Sequence, residues 1–352
     1  MRKNNRIRVG INGFGRIGRA TFRRILQLDG IDVVVVNDTE RDLENLVYLL
    51  RFDSVYGRLN EVVTLNDAVM DVSDKQSVKF HSFSSIQDVP WKEFDVDVVV
   101  EATGVEANIK SAHHLVARGL VDRVVVTNSH QSVDETIIIS VNESLYDPSL
   151  HKVVSSSICD ANAIAPVLYH LDQLVGIEHA SVTTLHPWLS YQNLLDGPIS
   201  SVANPGHSWQ EYSLGRSSVG NLILKSTTAA AATLRVLPGM QGKLDAISFR
   251  VPTANVSASD FSIVLQRPST VDEIQAHLMS VSEQYSDVIS LNSEALVSGD
   301  FSQMVQSCVI DLTKMTLSNQ KHLKLVSWYD NEWAYSCRVL DVVILVSSSA
   351  HE

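Results

Sequence analysis

Gly13-Phe14-Gly15-Arg16-Ile17-Gly18 lies between two segments of opposite character. Before it, Arg6 to Ile11 reads as a short, β-branched buried strand. After it, Ile17 to Leu28 carries helical periodicity through Ile17, Phe22, Ile25 and Leu26. A second buried strand, Ile31 to Val36, ends in Asn37-Asp38. A G-x-G-x-x-G in isolation marks only a tight turn. Between strand and helix, with an acid 20 residues past Gly18 (38 − 18), it is a dinucleotide-binding fingerprint. Gly13 permits the sharp turn, Gly15 lets the backbone approach a pyrophosphate, and Gly18 allows close helix–strand packing. The helix N-terminus adds free N–H groups and partial positive charge. Asp38 is suited to accept hydrogen bonds from ribose hydroxyls and to repel a 2′-phosphate, which favours NAD over NADP. The plain alternative, a glycine turn beside a solvated Asp, is outweighed by this context.

The alternation continues. Leu43 to Phe52 is helical, and Val96 to Glu101 is a strand without polar alternation, as when both faces are covered. Ile109 to Arg118 is helical, Val121 to Thr127 is a strand, and Val153 to Ser157 reads as the last strand of the unit. Such a series implies right-handed βαβ units and a parallel sheet. The second half differs. Ala161 to Leu174 is helical, then His179 to Leu185, Ala246 to Val251, Phe261 to Gln266 and Leu323 to Trp328 read as longer, partly alternating strands. Ser190 to Leu224 is rich in Ser, Asn, Gly and Pro, an irregular segment of the kind that carries function. The expected class is α/β. A Rossmann dinucleotide-binding domain over residues 1–158, joined by a C-terminal helix at about 330–352, precedes an α+β catalytic domain over 159–329 with a mixed, largely antiparallel sheet.

Composition agrees with two folded domains. A length of 352 residues corresponds to about two domains at roughly 150 residues each. A formal charge of −12 disfavours non-specific binding to nucleic acid or anionic membrane. The basic stretch Met1 to Arg8 is followed by Asn12, Gly13, Gly15 and Arg16, so no signal peptide is expected, and no apolar run is long enough to span a bilayer. The three cysteines, Cys159, Cys308 and Cys337, are widely spaced, which excludes a disulfide framework and a CxxC knuckle and fits a reducing, cytoplasmic setting. No metal site is expected.

Cys159 follows a strand and precedes a helix, at the end of an α/β sheet where ligands bind. A helix N-terminus favours the thiolate. His186, 27 residues on, follows the Ser181 to Leu185 strand and is suited to act as base toward the thiol and acid toward an oxyanion. Against this stand a buried inert cysteine and a structural histidine, both common. Spacing alone does not decide between them.

These residues also carry a resemblance. Val9-Gly10-Ile11-Asn12-Gly13-Phe14-Gly15-Arg16-Ile17-Gly18-Arg19 resembles the opening of glyceraldehyde-3-phosphate dehydrogenases. So do Asn37-Asp38, Phe52-Asp53-Ser54, Ala102-Thr103-Gly104-Val105, the run Phe249 to Ser257 and the run Ser327 to Ser336, in family order from about residue 7 to residue 342. Erythrose-4-phosphate dehydrogenases share the superfamily. The resemblance implies that Cys159 attacks an aldehyde, that His186 takes the proton, and that hydride passes to NAD to leave a thioester released by phosphate or water. It implies cofactor contacts from Gly13, Gly15, Arg16, Ile17, Gly18, Asn37, Asp38, Thr103, Gly104 and Thr127. It also implies that Asn331 holds the nicotinamide carboxamide with Tyr335 beside the ring, and that the protein is a homotetramer.

The departures bear on substrate. The Ser and Thr flanking the family's cysteine are Ile158 and Asp160 here, where the family binds the attacking phosphate. A like-charge contact at about 4 Å and an effective dielectric near 20 costs about 4 kcal/mol. Thr227 keeps its place, but the Gly after it is Thr228. In the pocket for the substrate's own phosphate, Leu189 and Tyr191 replace polar residues, Leu214 stands for an arginine with Arg216 two positions on, and Arg250 remains. With Trp188, these residues point to a less anionic aldehyde. Asp160 reads equally as an N-cap or as a residue that places water. Three functions follow: an NAD-dependent aldehyde dehydrogenase with another substrate, an ordinary phosphorylating enzyme with compensating residues elsewhere, or a non-catalytic NAD-binding homologue.

Overall fold

A computed structural model describes residues 6–190, 192–198 and 211–348. The chain forms two compact units, Met1–Ile137 with Asn142–Ser157 and Ser336–Glu352, and Ile138–Val141 with Ile158–Tyr335. Among the described residues, no helix is long and apolar enough to cross a membrane.

The first unit is built on a nine-stranded sheet. Its parallel part runs in the spatial order Glu135–Thr136, Val153–Ser155, Arg123–Val126, Val98–Glu101, Ile7–Asn12, Ile31–Asn37 and Gln76–His81. Val98–Glu101 and Arg123–Val126 are buried throughout, and Ile7–Asn12 from Val9 onward, because their side chains are covered on both faces. Trp91, Val99, Ile109 and Leu115 belong to one core cluster of this unit. Gly10 sits against Trp91, whose ring a Cβ there would meet at 2.6 Å. Two further strands, Val63–Asn66 and Val69–Val72, pair antiparallel at the edge. The sequence reading missed this meander. Its turns use Asp67 (φ 52°) and Ser73 (φ 47°) in the left-handed region, without the glycines that usually announce such turns.

The second unit holds a seven-stranded mixed sheet in the order Ile223–Lys225, Leu244–Val251, Ile177–Pro187, Ser257–Leu265, His322–Tyr329, Cys308–Ser318 and Ile289–Asn292. Two of its pairings are parallel and four antiparallel, in line with the expected α+β character. Ile164, Leu168 and Leu171 of the helix Cys159–Val175 share one core with Phe261, Ile263 and Leu265 of the sheet and with Ile274 and Leu278 of the helix Val271–Gln284. Residues 138–141 lie with this unit because Ile138 packs against Ala161, Ala165, Ala232 and Val236.

Candidate active site

In the first unit, Gly13, Asp38, Thr103, Gly104 and Thr127 all follow the C-terminal ends of four adjacent parallel strands. Ligands of α/β sheets bind at that end. The three glycines do different things. Gly13 has φ +96°, and a Cβ there would lie 2.8 Å from the Ala102 carbonyl carbon. At Gly18 a Cβ would lie 2.1 Å from Gly13 O. At Gly15 it would meet nothing within 4 Å. The protein's own packing therefore requires the first and third glycines, while the second leaves open space. That space lies at the start of the helix Arg16–Ile25, where a pyrophosphate fits. Ile17 lies in the first turn of that helix, half-buried.

Asp38 is not a solvated acid. Its Oδ2 accepts from the Phe14 backbone N–H at 2.6 Å and its Oδ1 from that of Glu40 at 2.9 Å. It thereby ties the second strand to the glycine loop, and a carboxylate so held retains lone pairs for a ribose. Arg16 pairs with Asp53 and lies over the Tyr56 ring at 5.5 Å. Asn37 is buried and braces the fold, donating to Asn12 Oδ1 at 2.7 Å and to Phe83 O at 3.0 Å. Thr103 bonds to Glu101 through both its backbone N–H and its hydroxyl, and Thr127 donates to Glu101 O at 3.1 Å. Glu101 was not anticipated. Burial pushes its carboxyl up to about 7, opposed by donors from Thr103 and Asn12. The visible signal was an acid closing the valine run Val98 to Val100.

At the entry to the second unit, Ser157 with φ 60° ends the connection and Ile158 is extended, so the helix begins at Cys159. Cys159 is half-buried in the first turn. Its Sγ lies 3.7 Å from His186 Nε2 and 3.6 Å from Asp160 Oδ1. Asp160 Oδ1 stands 3.9 Å from His186 Nε2 and accepts a 2.8 Å hydrogen bond from Tyr329 Oη. His186 Nδ1 is 2.9 Å from Pro187 O. A carbonyl only accepts, so Nδ1 carries the hydrogen and the Nε2 lone pair is available to the thiol.

Electrostatics make this a neutral pair. Burial, then the Asp160 carboxylate, pushes the Cys159 thiol well up, with Arg250 pulling the other way. Burial, then Arg250, pushes His186 down to about 4, with Asp160 opposing. The helix-terminus effect expected to favour the thiolate is thus outweighed. The capping expectation for Asp160 is also corrected. The N-cap is Ile158, which makes no side-chain cap, and Asp160 is buried inside the first turn with its carboxylate turned toward Tyr329 and the thiol.

Arg250 is the direct strand neighbour of His186, buried, and its Nε has no hydrogen-bond partner among the described residues. Lys225 was missed. It sits on the short strand paired with the Arg250 strand, where Lys225 opposes Ser248 and Ile223 opposes Arg250. Burial, then Arg250, lowers the Lys225 ammonium, and the charges of Asp160, Glu211 and Cys159 oppose this. Only the pairing of Ile223–Lys225 onto the sheet reveals this second cation, since the strand lies at the end of an irregular segment.

The other substrate candidates are less engaged. Ile158 packs against the cluster around Ile138 and Ala161. Leu189 is half-buried, its backbone N–H donating to Gln192 Oε1 at 2.9 Å. Thr227 Oγ1 accepts from Ala229 N at 3.1 Å, and Thr228 is exposed at the N-cap of the helix Ala229–Val236. Leu214 is buried, and Arg216 is engaged with Asp196 at 2.7 Å. Tyr191 lies outside the described residues. Asn331 is buried with its Oδ1 unpartnered among the described residues, an acceptor that suits an amide donor such as the nicotinamide carboxamide. Tyr335 is buried in the final helix, Trp333–Ser348.

Comparison with known proteins agrees with both halves. Residues 7–109 match the family model of the glyceraldehyde 3-phosphate dehydrogenase NAD binding domain, and residues 157–331 that of its C-terminal domain. The chain is similar to a glyceraldehyde-3-phosphate dehydrogenase of Streptomyces coelicolor, 35% identical over 97% of this chain and 99% of the relative. It is similar to glyceraldehyde-3-phosphate dehydrogenase 2 of Bacillus subtilis, 35% identical over 96% of each. It is also 36% identical to a cytosolic glyceraldehyde-3-phosphate dehydrogenase of Gracilaria gracilis, over 96% of this chain and 98% of the relative. The chain therefore belongs to the glyceraldehyde-3-phosphate dehydrogenase family, NAD-dependent oxidoreductases that act on an aldehyde.

Proposed function

We propose that this protein oxidises an aldehyde through a thioester on Cys159, with His186 as general base, and that the aldehyde is not glyceraldehyde 3-phosphate. Cys159 Sγ adds to the carbonyl carbon while its proton passes to His186 Nε2 and on to the carbonyl oxygen, giving a thiohemiacetal. His186 then takes the hydroxyl proton as the carbon loses its hydride. NAD would supply the hydride acceptor; within the first unit the glycine loop and Asp38 are suited to hold it, and within the second Asn331 offers an acceptor for an amide. What remains on Cys159 is a thioester.

The observation that carries the substrate reading is the Asp160 carboxylate 3.6 Å from Sγ, where the family resemblance places a residue that welcomes phosphate. One observation favours a second reading, a phosphorylating enzyme: Lys225 adds a cation beside Arg250, in place of the polar residues that were lost. An aldehyde panel with NAD, run with and without inorganic phosphate, separates the two. Turnover of another aldehyde without phosphate supports the first reading. Glyceraldehyde 3-phosphate as best substrate, with strong acceleration by phosphate, sinks it.

We also propose a cytoplasmic homotetramer. Free cysteines at positions 159, 308 and 337 and a relative named as cytosolic support the compartment, and family membership supports the assembly. Light scattering of the purified protein tests the assembly.

A further inference from the structure

The thioester must be opened by something, and the groups around Sγ are not equally suited to every nucleophile. A phosphate dianion approaching the thioester meets the Asp160 carboxylate; water carries no such charge. The Asp160 side chain caps no helix, and it lies within 4.0 Å of no Lys or Arg nitrogen among the described residues. Its contacts are Tyr329 Oη, the Cys159 thiol and His186 Nε2. A buried carboxylate with no lysine or arginine in ion-pair contact is a poor stabilising device.

The geometry points to Asp160 as the general base that activates water against the acyl group on Cys159, with Tyr329 as its positioning residue. This rests on the thioester reading above. Tyr329 and Asp160 are 169 residues apart, and the phenol reaches the carboxylate from the strand His322–Tyr329. The Tyr329 hydroxyl gives its hydrogen to Asp160 Oδ1 at 2.8 Å, since a carboxylate oxygen accepts. Burial, then the Asp160 charge, pushes the phenol well up, so it stays a donor throughout the working pH range. One carboxylate oxygen is thereby fixed toward Tyr329 and the thiol, leaving lone pairs for a water proton.

The step balances. The water oxygen bonds to the acyl carbon as Asp160 takes one water proton. The C–S bond then breaks, and the thiolate recovers that proton from Asp160. Thioester and water become carboxylic acid and free thiol, with no redox change and no further reactant.

The test is rapid-mixing kinetics on the intact protein, using the aldehyde selected by the panel and no phosphate. Wild type gives one NADH per site in a burst and then steady turnover. For Asp160→Asn the burst remains, the acyl adduct on Cys159 accumulates by mass spectrometry, and steady turnover falls by roughly 100-fold or more. Added hydroxylamine, a neutral nucleophile that needs no base, restores turnover. Tyr329→Phe keeps the burst and loses about 3- to 10-fold in turnover, again rescued by hydroxylamine, which a merely unfolded variant would not be. If Asp160→Asn turns over like wild type, or no acyl adduct accumulates, the assignment is wrong. If wild type itself shows no burst with any aldehyde, the thioester reading fails instead.

Discussion

His186 donates from Nδ1 to the Pro187 carbonyl at 2.9 Å, and this local contact decides which ring nitrogen meets the thiol. The acceptor nitrogen, Nε2, stands 3.7 Å from Cys159 Sγ. Because burial and then Arg250 hold the ring's pKa down to about 4, the imidazole is neutral and basic at Nε2 across the neutral range.

A pH dependence follows for the burst. The base form of His186 is lost only as pH falls through about 4, rather than near the ordinary value of 6.5. The acid limb of the NADH burst rate should therefore lie well below pH 6, and His186→Asn should slow the burst by roughly 100- to 10,000-fold. An acid limb centred near 6.5 would show that the ring is not buried as described.

Thiol reactivity tests Asp160 independently of turnover. Since burial and then the Asp160 charge raise the thiol pKa, alkylation of wild-type Cys159 by iodoacetamide should be slow at pH 7 and still rising at pH 9. Asp160→Asn removes one of the raising causes, so alkylation at pH 7 should accelerate several-fold, on the order of 3- to 30-fold. Unchanged or slower labelling would contradict the placement of this carboxylate.

The glycines give a contrasted pair. Gly18→Ala puts a Cβ 2.1 Å from Gly13 O and should destabilise the first unit by about 1–3 kcal/mol, seen as a lower Tm. Gly15→Ala meets no protein atom within 4 Å, so Tm without cofactor should be unchanged or slightly raised. NAD affinity, measured by calorimetry, should nonetheless drop by 10-fold or more. Equal stability losses in both variants would refute the division of labour between them.

Glu101 couples stability to pH. Its folded value of about 7 lies above the ordinary 4.5, so the folded state holds a proton that the unfolded state releases. Its contribution is complete below about 4.5 and is lost as pH rises through about 7, a span worth about 3 kcal/mol. Glu101→Gln should flatten the fall in unfolding free energy between pH 4.5 and 7 in urea titrations. An equally steep fall in the variant would assign it to other groups.

Local features were legible and distant ones were not. The glycine loop, the helix after it and Asp38 lie within about 25 residues of one another, and turn chemistry, periodicity and spacing specify them without a tertiary partner. Cys159 and His186 were visible as candidates, each at a strand end, but no spacing brings a first-turn thiol within 3.7 Å of a ring 27 residues away. Strand pairing decided that, as it decided that Lys225 joins Arg250 and that Tyr329 reaches Asp160.

Asp160 shows the limit most plainly. Its residue type fits a cap, and a capping reading needs only local sequence. The left-handed Ser157 and the extended Ile158 instead start the helix at Cys159, which turns the carboxylate inward to a tyrosine 169 residues away. Composition and pattern specified an α/β nucleotide-binding chain with a cysteine at the start of its second, strand-rich half. The charge state of that cysteine, and the nucleophile its surroundings admit, depend on contacts between strands remote in sequence, which only the folded sheet brings within reach of one sulfur atom.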